Sequence, residues 1–177
     1  MKTFSGLGVS AGIGQAPALL VEPAPGLPAR DPKGDTDDDV ARVTAALSKV
    51  ADRLDARALE ADPSAIGVLM ATAMMARDPG LTSSVRTHLE EGDGPAHALW
   101  GAIDDFCAQL TAAGGYLAER VTDLHNVRDR ALAVLQGLPE PGVPAFDSPV
   151  ILVAEDLAPA DTATLDPELV RGLVTAA

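Results

Sequence analysis

AIGVLMATAMMARDPG, residues Ala65–Gly80, is the stretch from which the rest of this sequence is read. It is apolar on nearly every side as far as Ala76, becomes charged at Arg77 and Asp78, and breaks at Pro79-Gly80. A helix that is apolar all round must be buried all round or keep one face for a partner. No other block of the chain is as greasy, so the fold turns on what covers Met70, Met74 and Met75. Methionine adapts its shape and is over-used on surfaces that accept other proteins. Core and docking face both remain open at this point.

Working outward, the neighbouring segments read as further helices of a bundle. Thr36, with Asp39 three positions on, has the capping-box arrangement, and Asp37–Asp39 suit the positive end of a helix dipole. Val40, Val43, Leu47, Val50 and Leu54 then recur at 3-4-3-4 spacing. Asp62-Pro63-Ser64 closes that helix and opens the methionine helix, with Pro63 in its first turn. Leu81, Val85 and Leu89 mark a short helix stopped by Gly92-Asp93-Gly94. Pro95 opens another, in which Leu99, Ile103, Phe106 and Leu110 share a face until Gly114-Gly115. Tyr116–Gly137 reads as one last helix with Leu117, Val121, Leu124, Leu132 and Leu135 as its stripe, ended by Gly137 ahead of Pro139.

The two ends read differently. Phe4–Val9 and Ala16–Val21 are short strands, and Gly6, Gly8, Gly12 and Gly14 predict a tight turn or a backbone crossing between them. Their spacing is G-x-G-x3-G-x-G, with Pro17 where a helix would have to open, so a dinucleotide loop is rejected. Pro23–Gly34 holds four prolines in twelve residues and reads as a linker, as does Pro139–Pro149. Val150–Ala154 is a continuous buried-type strand, Pro159–Leu165 one or two helical turns, and Leu169–Ala177 a further strand. With neither cap nor polar tail, that strand predicts a chain that continues. The fold class is therefore α/β with a helical insertion. Residues 1–22 plus 145–177 form a discontinuous α/β subdomain, and residues 35–138 an all-helical one.

The formal charge of −13 on 177 residues excludes a nucleic-acid binder, which needs a basic face, and suits a partner with a positive patch. The single cysteine, Cys107, allows no internal disulfide, implies a reducing compartment and reads as a small buried hydrophobe. There is neither a signal-peptide core nor a run of the roughly 18 apolar residues that a membrane span needs, which predicts a cytoplasmic protein. His88, His97 and His125 fall in separate helices without metal-ligand spacing, and His88 and His97 are expected to face water. No serine stands in a nucleophile elbow, Cys107 has no nearby base, and Asp104-Asp105 and Glu90-Glu91 diverge on their helices. No catalytic residue and no metal ligand is assigned.

Ile151–Leu165, ILVAEDLAPADTATL, resembles the segment I/L-L-V-A-x-D-L-x-P-x-x-T-A-x-L of Enzyme I of the bacterial phosphoenolpyruvate:sugar phosphotransferase system. Ser10-Ala11-Gly12-Ile13 is similar to that family's S-P-G-I opening, with Ala11 for proline. Met74–Pro79 resembles its M-L-x-D-P, and Tyr116–Asp123 its Y-L-x-E-R-x-x-D. His125-Asn126 stand where the family usually has Arg-Asp.

The resemblance implies a phosphohistidine swivelling-type α/β subdomain carrying a helical subdomain that docks the phosphocarrier HPr. The docking residues carried over are Met74, Met75, Leu81, Tyr116, Leu117 and Arg120. Of these, Arg120 also has Asp123 within local reach, and Tyr116 also sits against the Gly114-Gly115 kink. The implied activity is phosphoryl transfer from phosphoenolpyruvate through the enzyme's own histidine to HPr. The histidine motif G-G-x-T-S-H is expected directly after Ala177, so these residues alone would bind HPr and be inactive. Magnesium and homodimerisation are implied for a C-terminal barrel outside them. The alternative is an Enzyme I-like module of a multidomain phosphocarrier of the dihydroxyacetone kinase type.

Overall fold

Helix α1, Thr36–Glu60, starts at Asp35 in the computed structural model, which describes residues 6–21, 23–144, 146–155, 157, 159–162 and 165–176. Asp35 is extended, and its carboxylate accepts the amides of Asp37 and Asp38 at 2.9 and 3.3 Å. The cap thus lies one residue before Thr36, which is helical. The expected capping box does not form because the Asp39 carboxylate turns to the Gly34 amide at 2.6 Å and to Arg42 at 2.9 Å. The α1 stripe of Val40, Val43, Leu47, Val50 and Leu54 is buried as its spacing predicts.

Three further long helices start on proline: α2, Pro63–Ala76, α3, Pro79–Glu91, and α4, Pro95–Ala113. Proline costs nothing there, because a first-turn amide has no partner in any case. Asp62 and Asp78 cap α2 and α3 through their side chains. Gly92 ends α3 at φ 116, a backbone state open to glycine without strain. The single helix expected over Tyr116–Gly137 is instead two, α5, Tyr116–Glu119, and α6, Val121–Gln136, meeting at Arg120. The short first piece follows two successive positive-φ glycines, Gly114 and Gly115, which reset the chain direction. α1 packs on α2, α3, α4 and α6, and α4 on α3 and α6. Their shared interior is Ala, Val, Leu and Ile, with Leu69, Leu99, Ile103 and Leu132 wholly buried.

The remaining strands, β1, Ala18–Leu20, β2, Val150–Ala154, and β3, Val170–Thr175, form one parallel sheet with β2 in the centre. β2 buries Val150, Leu152 and Ala154 on one face, as period-2 alternation requires. β1 is shorter than the Ala16–Val21 expected. Residues 6–9 form no strand, because Gly6 and Gly8 leave only Leu7 and Val9 to pack, and both are exposed. Phe4 and Ser5 of that expected strand lie outside the described residues. The backbone crossing does occur: a Cβ on Gly14 would run into the carbonyl of Arg171 in β3. The four-residue helix α7, Pro159–Thr162, follows β2.

The segment expected to be a plain linker is strapped to the bundle. Asp31 accepts from the His97 amide at 2.8 Å and its ring Nδ1 at 3.0 Å, and Gln136 donates to the Gly26 carbonyl at 3.0 Å. Gly94 lies so close under Asp31 that no Cβ fits.

Candidate functional site

The methionine helix resolves into two faces. Ala65, Leu69, Thr72, Ala73 and Ala76 point into the bundle, and the Thr72 hydroxyl is satisfied by the Val68 carbonyl at 2.9 Å. The opposite face carries Gly67, Met70, Met74 and Arg77, again at 3-4-3 spacing, with Met70 51% and Met74 73% exposed. Met75 is half-buried against the core. Arg77, at the end of this stripe, bridges Asp52 and Asp55 on α1 at 2.7 and 2.8 Å, and those two carboxylates push its pKa above the ordinary value. The helix is therefore greasy on both sides for different reasons: one side is core and the other meets solvent.

Tyr116, 64% exposed, and Leu117, 46% exposed, stand on α5. The Arg120 guanidinium lies 4.4 Å from the centre of the Tyr116 ring and donates to Asp123 at 2.9 Å. Arg120 is thus held by both neighbours that its sequence offers, its cation attracted to the face of an exposed aromatic ring. α5 continues into α6, and α6 packs on α2. Leu81 does not belong to any outward surface. It is fully buried on α3 with Val85 and Leu89, because the i, i+4, i+8 spacing that makes it conspicuous is that of the core stripe.

Both histidines expected in water are partnered: His97 remains 41% exposed at its side chain, as expected, whereas His88 is only 21% exposed. His88 Nε2 lies 3.0 Å from Asp105 and its Nδ1 3.4 Å from Asp93. Its ring sits over Gly101, where a side chain would collide with it. His97 pairs with Asp31 as described above. Cys107 is buried, and burial, reinforced by Asp104, pushes its thiol pKa up, so it is a packing residue rather than a nucleophile. Among the described residues no three His, Cys, Asp or Glu side chains gather as a metal site.

One cluster escapes the sequence reading. Arg130 is 2% exposed within the apolar face of α6. Its Nε donates to Asn126 at 2.8 Å, one terminal nitrogen to Asp161 of α7 at 2.5 Å, and the other to Glu140 in the loop after α6. Arg57 of α1 approaches Asp161 at 3.4 Å, and Arg53 pairs with Glu140 at 2.8 Å. Gly142 passes over this group at φ 105, with no room for a Cβ beside Asp161 and Arg130. The one local sign was a charged residue in register with Val127 and Val134.

A family model described as PEP-utilising enzyme, N-terminal, matches residues 5–120. The phosphoenolpyruvate-protein phosphotransferase of Streptomyces coelicolor is 44% identical over 179 residues, covering 98% of this chain and 32% of that protein. The same-named protein of Lactococcus lactis subsp. lactis is 31% identical over 180 residues, covering 97% and 31%. The chain thus spans about a third of the length of these curated relatives. The NMR solution structure of Enzyme I (nEIt) superposes with a TM-score of 0.78 at 25% identity, over 94% of this chain and 70% of that one. The N-terminal domain of Enzyme 1 - Nitrogen has a TM-score of 0.62 at 22% identity, over 90% and 68%, a likeness of fold alone.

Proposed function

We propose, from the premise that this chain belongs to the PEP-utilising enzyme N-terminal family, that it is the part of a phosphoenolpyruvate-protein phosphotransferase on which the phosphocarrier HPr docks. The observation that carries this reading is Met74, 73% exposed on a helix whose other face is sealed core, with Tyr116 at 64% on α5. Both helices pack on α6, and large apolar side chains left outside on such elements are what an interaction surface needs. In this reading Met74, Tyr116, Leu117 and Arg120 seat HPr, Met75 backs them half-buried, and the buried Leu81 takes no part. The net charge of −13 steers a basic partner to it.

The phosphoryl group would pass from phosphoenolpyruvate to a histidine of the enzyme and then to HPr. No G-G-x-T-S-H occurs in these 177 residues, and they are expected to bind HPr without accepting the phosphoryl group. Magnesium and dimerisation belong in this reading to the relatives' remaining two thirds. A cytoplasmic setting goes with it; among the described residues no helix is long and apolar enough to cross a membrane.

NMR titration of the labelled chain with HPr tests this. Shifts concentrated on α2 and α5 are expected, and none at millimolar HPr would overturn the reading. Met74→Asp should weaken HPr binding by about tenfold or more while changing stability by no more than about 0.5 kcal/mol.

A further inference from the structure

We propose that Arg53, Arg57 and Arg130 form a binding site for a small oxyanion of the phosphate class, in which the Glu140 carboxylate holds the ligand's place. The three arginines line one cleft of about 380 Å³, with Glu140, Val143 and Pro144 completing it. Three of the chain's thirteen basic residues thus converge on a single hollow of a protein whose net charge is −13. Among the described residues their carboxylate partners are Glu140 and Asp161, two acids against three arginines. Asn126 receives the Arg130 Nε–H through a neutral amide oxygen and so adds no negative charge.

The donors are built to different degrees of readiness. Arg130 is buried and held flat by Asn126, Glu140 and Asp161, so its plane is fixed before any ligand arrives. Glu140 bridges Arg130 through one oxygen and Arg53 through the other, as a bound carboxylate would. Arg53 and Arg57 keep side chains 39% and 28% exposed, and among the described residues Arg57 makes only one long contact, 3.4 Å to Asp161. Guanidinium forks match the oxygens of phosphate and carry full charge at any physiological pH. An incoming dianion offers Arg53 and Arg57 more charge than Glu140 does, and it takes over the Glu140 position. Arg57, Val143 and Pro144 also line a neighbouring hollow of about 770 Å³, which Glu60, Asp62 and Asp166 border as well.

Titration of the protein with inorganic phosphate, with ionic strength held constant by chloride, tests the site through the arginine Nε–H signals. Saturable shifts at Arg53 and Arg57 are expected. Glu140→Gln, which neutralises the internal competitor, should tighten binding by about tenfold, and Arg53→Met/Arg57→Met should abolish it. Glycerol phosphate in place of phosphate identifies the source: tighter binding points to a phosphomonoester, equal binding to the free ion. The proposal is overturned if the shifts do not saturate, if chloride alone reproduces them, or if Glu140→Gln leaves affinity unchanged. The last comparison stands even if the double variant fails to fold. HPr titration reads α2 and α5, so either result leaves the docking reading separately testable.

Discussion

In the bundle interior Leu69, Leu99 and Ile103 sit in an apolar cluster, whereas at the seam under α7 the equally dry Arg130 is held by Asn126, Glu140 and Asp161. Alkyl packing is non-directional and roughly proportional to area, so the interior tolerates many arrangements of similar volume. A guanidinium in a fork accepts only one. Buried ion pairs add little net stability over apolar substitutes, but removing one partner strands the other. The bundle thus supplies most of the stability, and the seam fixes where α7 and the loop around Gly142 sit on it.

Arg130→Ala takes a guanidinium away from the buried Asp161 carboxylate and should cost about 3–5 kcal/mol in chemical denaturation. A loss below about 1 kcal/mol would mean that water replaces the guanidinium and that the seam is not dry. Leu69→Ala in the wholly buried face of α2 should cost about 3 kcal/mol, as cavity-forming changes do. Unlike Arg130→Ala, it should leave amide exchange at the loop of residues 139–144 in proportion to the rest of the chain. Asp35→Ala removes a directional contact at the surface instead of inside, and a loss of about 1 kcal/mol is expected there. If it matched Arg130→Ala, burial would not be what separates the two regions.

Much of the bundle could be read from the chain because its signals are local. Proline at the first turn locates the starts of α2, α3 and α4, glycine just past the last turn locates the ends of α3, α4 and α6, and apolar residues at 3-4 spacing locate the body of α1. The errors fall where two neighbours could do the same job. Asp35 and Thr36 can each cap a helix, and only the competing demand of Gly34 and Arg42 on Asp39 decides between them. Leu81 enters the docking set through the resemblance alone, two residues past the matching Met74–Pro79 segment, while its own spacing with Val85 and Leu89 points inward. Met74 is legible as a candidate because its helix is apolar all round, whereas Tyr116 and Arg120 become candidates only through the resemblance. The Arg57–Asp161 pair joins residues 104 positions apart, and no periodicity in either segment announces such a meeting.

The parallel sheet places Ala18 beside Ile151, so the whole helical bundle is the crossover between two adjacent strands. Closing a loop of that length before any strand bond forms is entropically unfavourable, and contacts so far apart along the chain slow assembly. Helical pairs such as α1 with α2 need only a short turn to meet. Refolding should therefore be sequential, with far-UV helical signal recovered early and strand protection against exchange acquired only once the bundle has drawn β1 and β2 together.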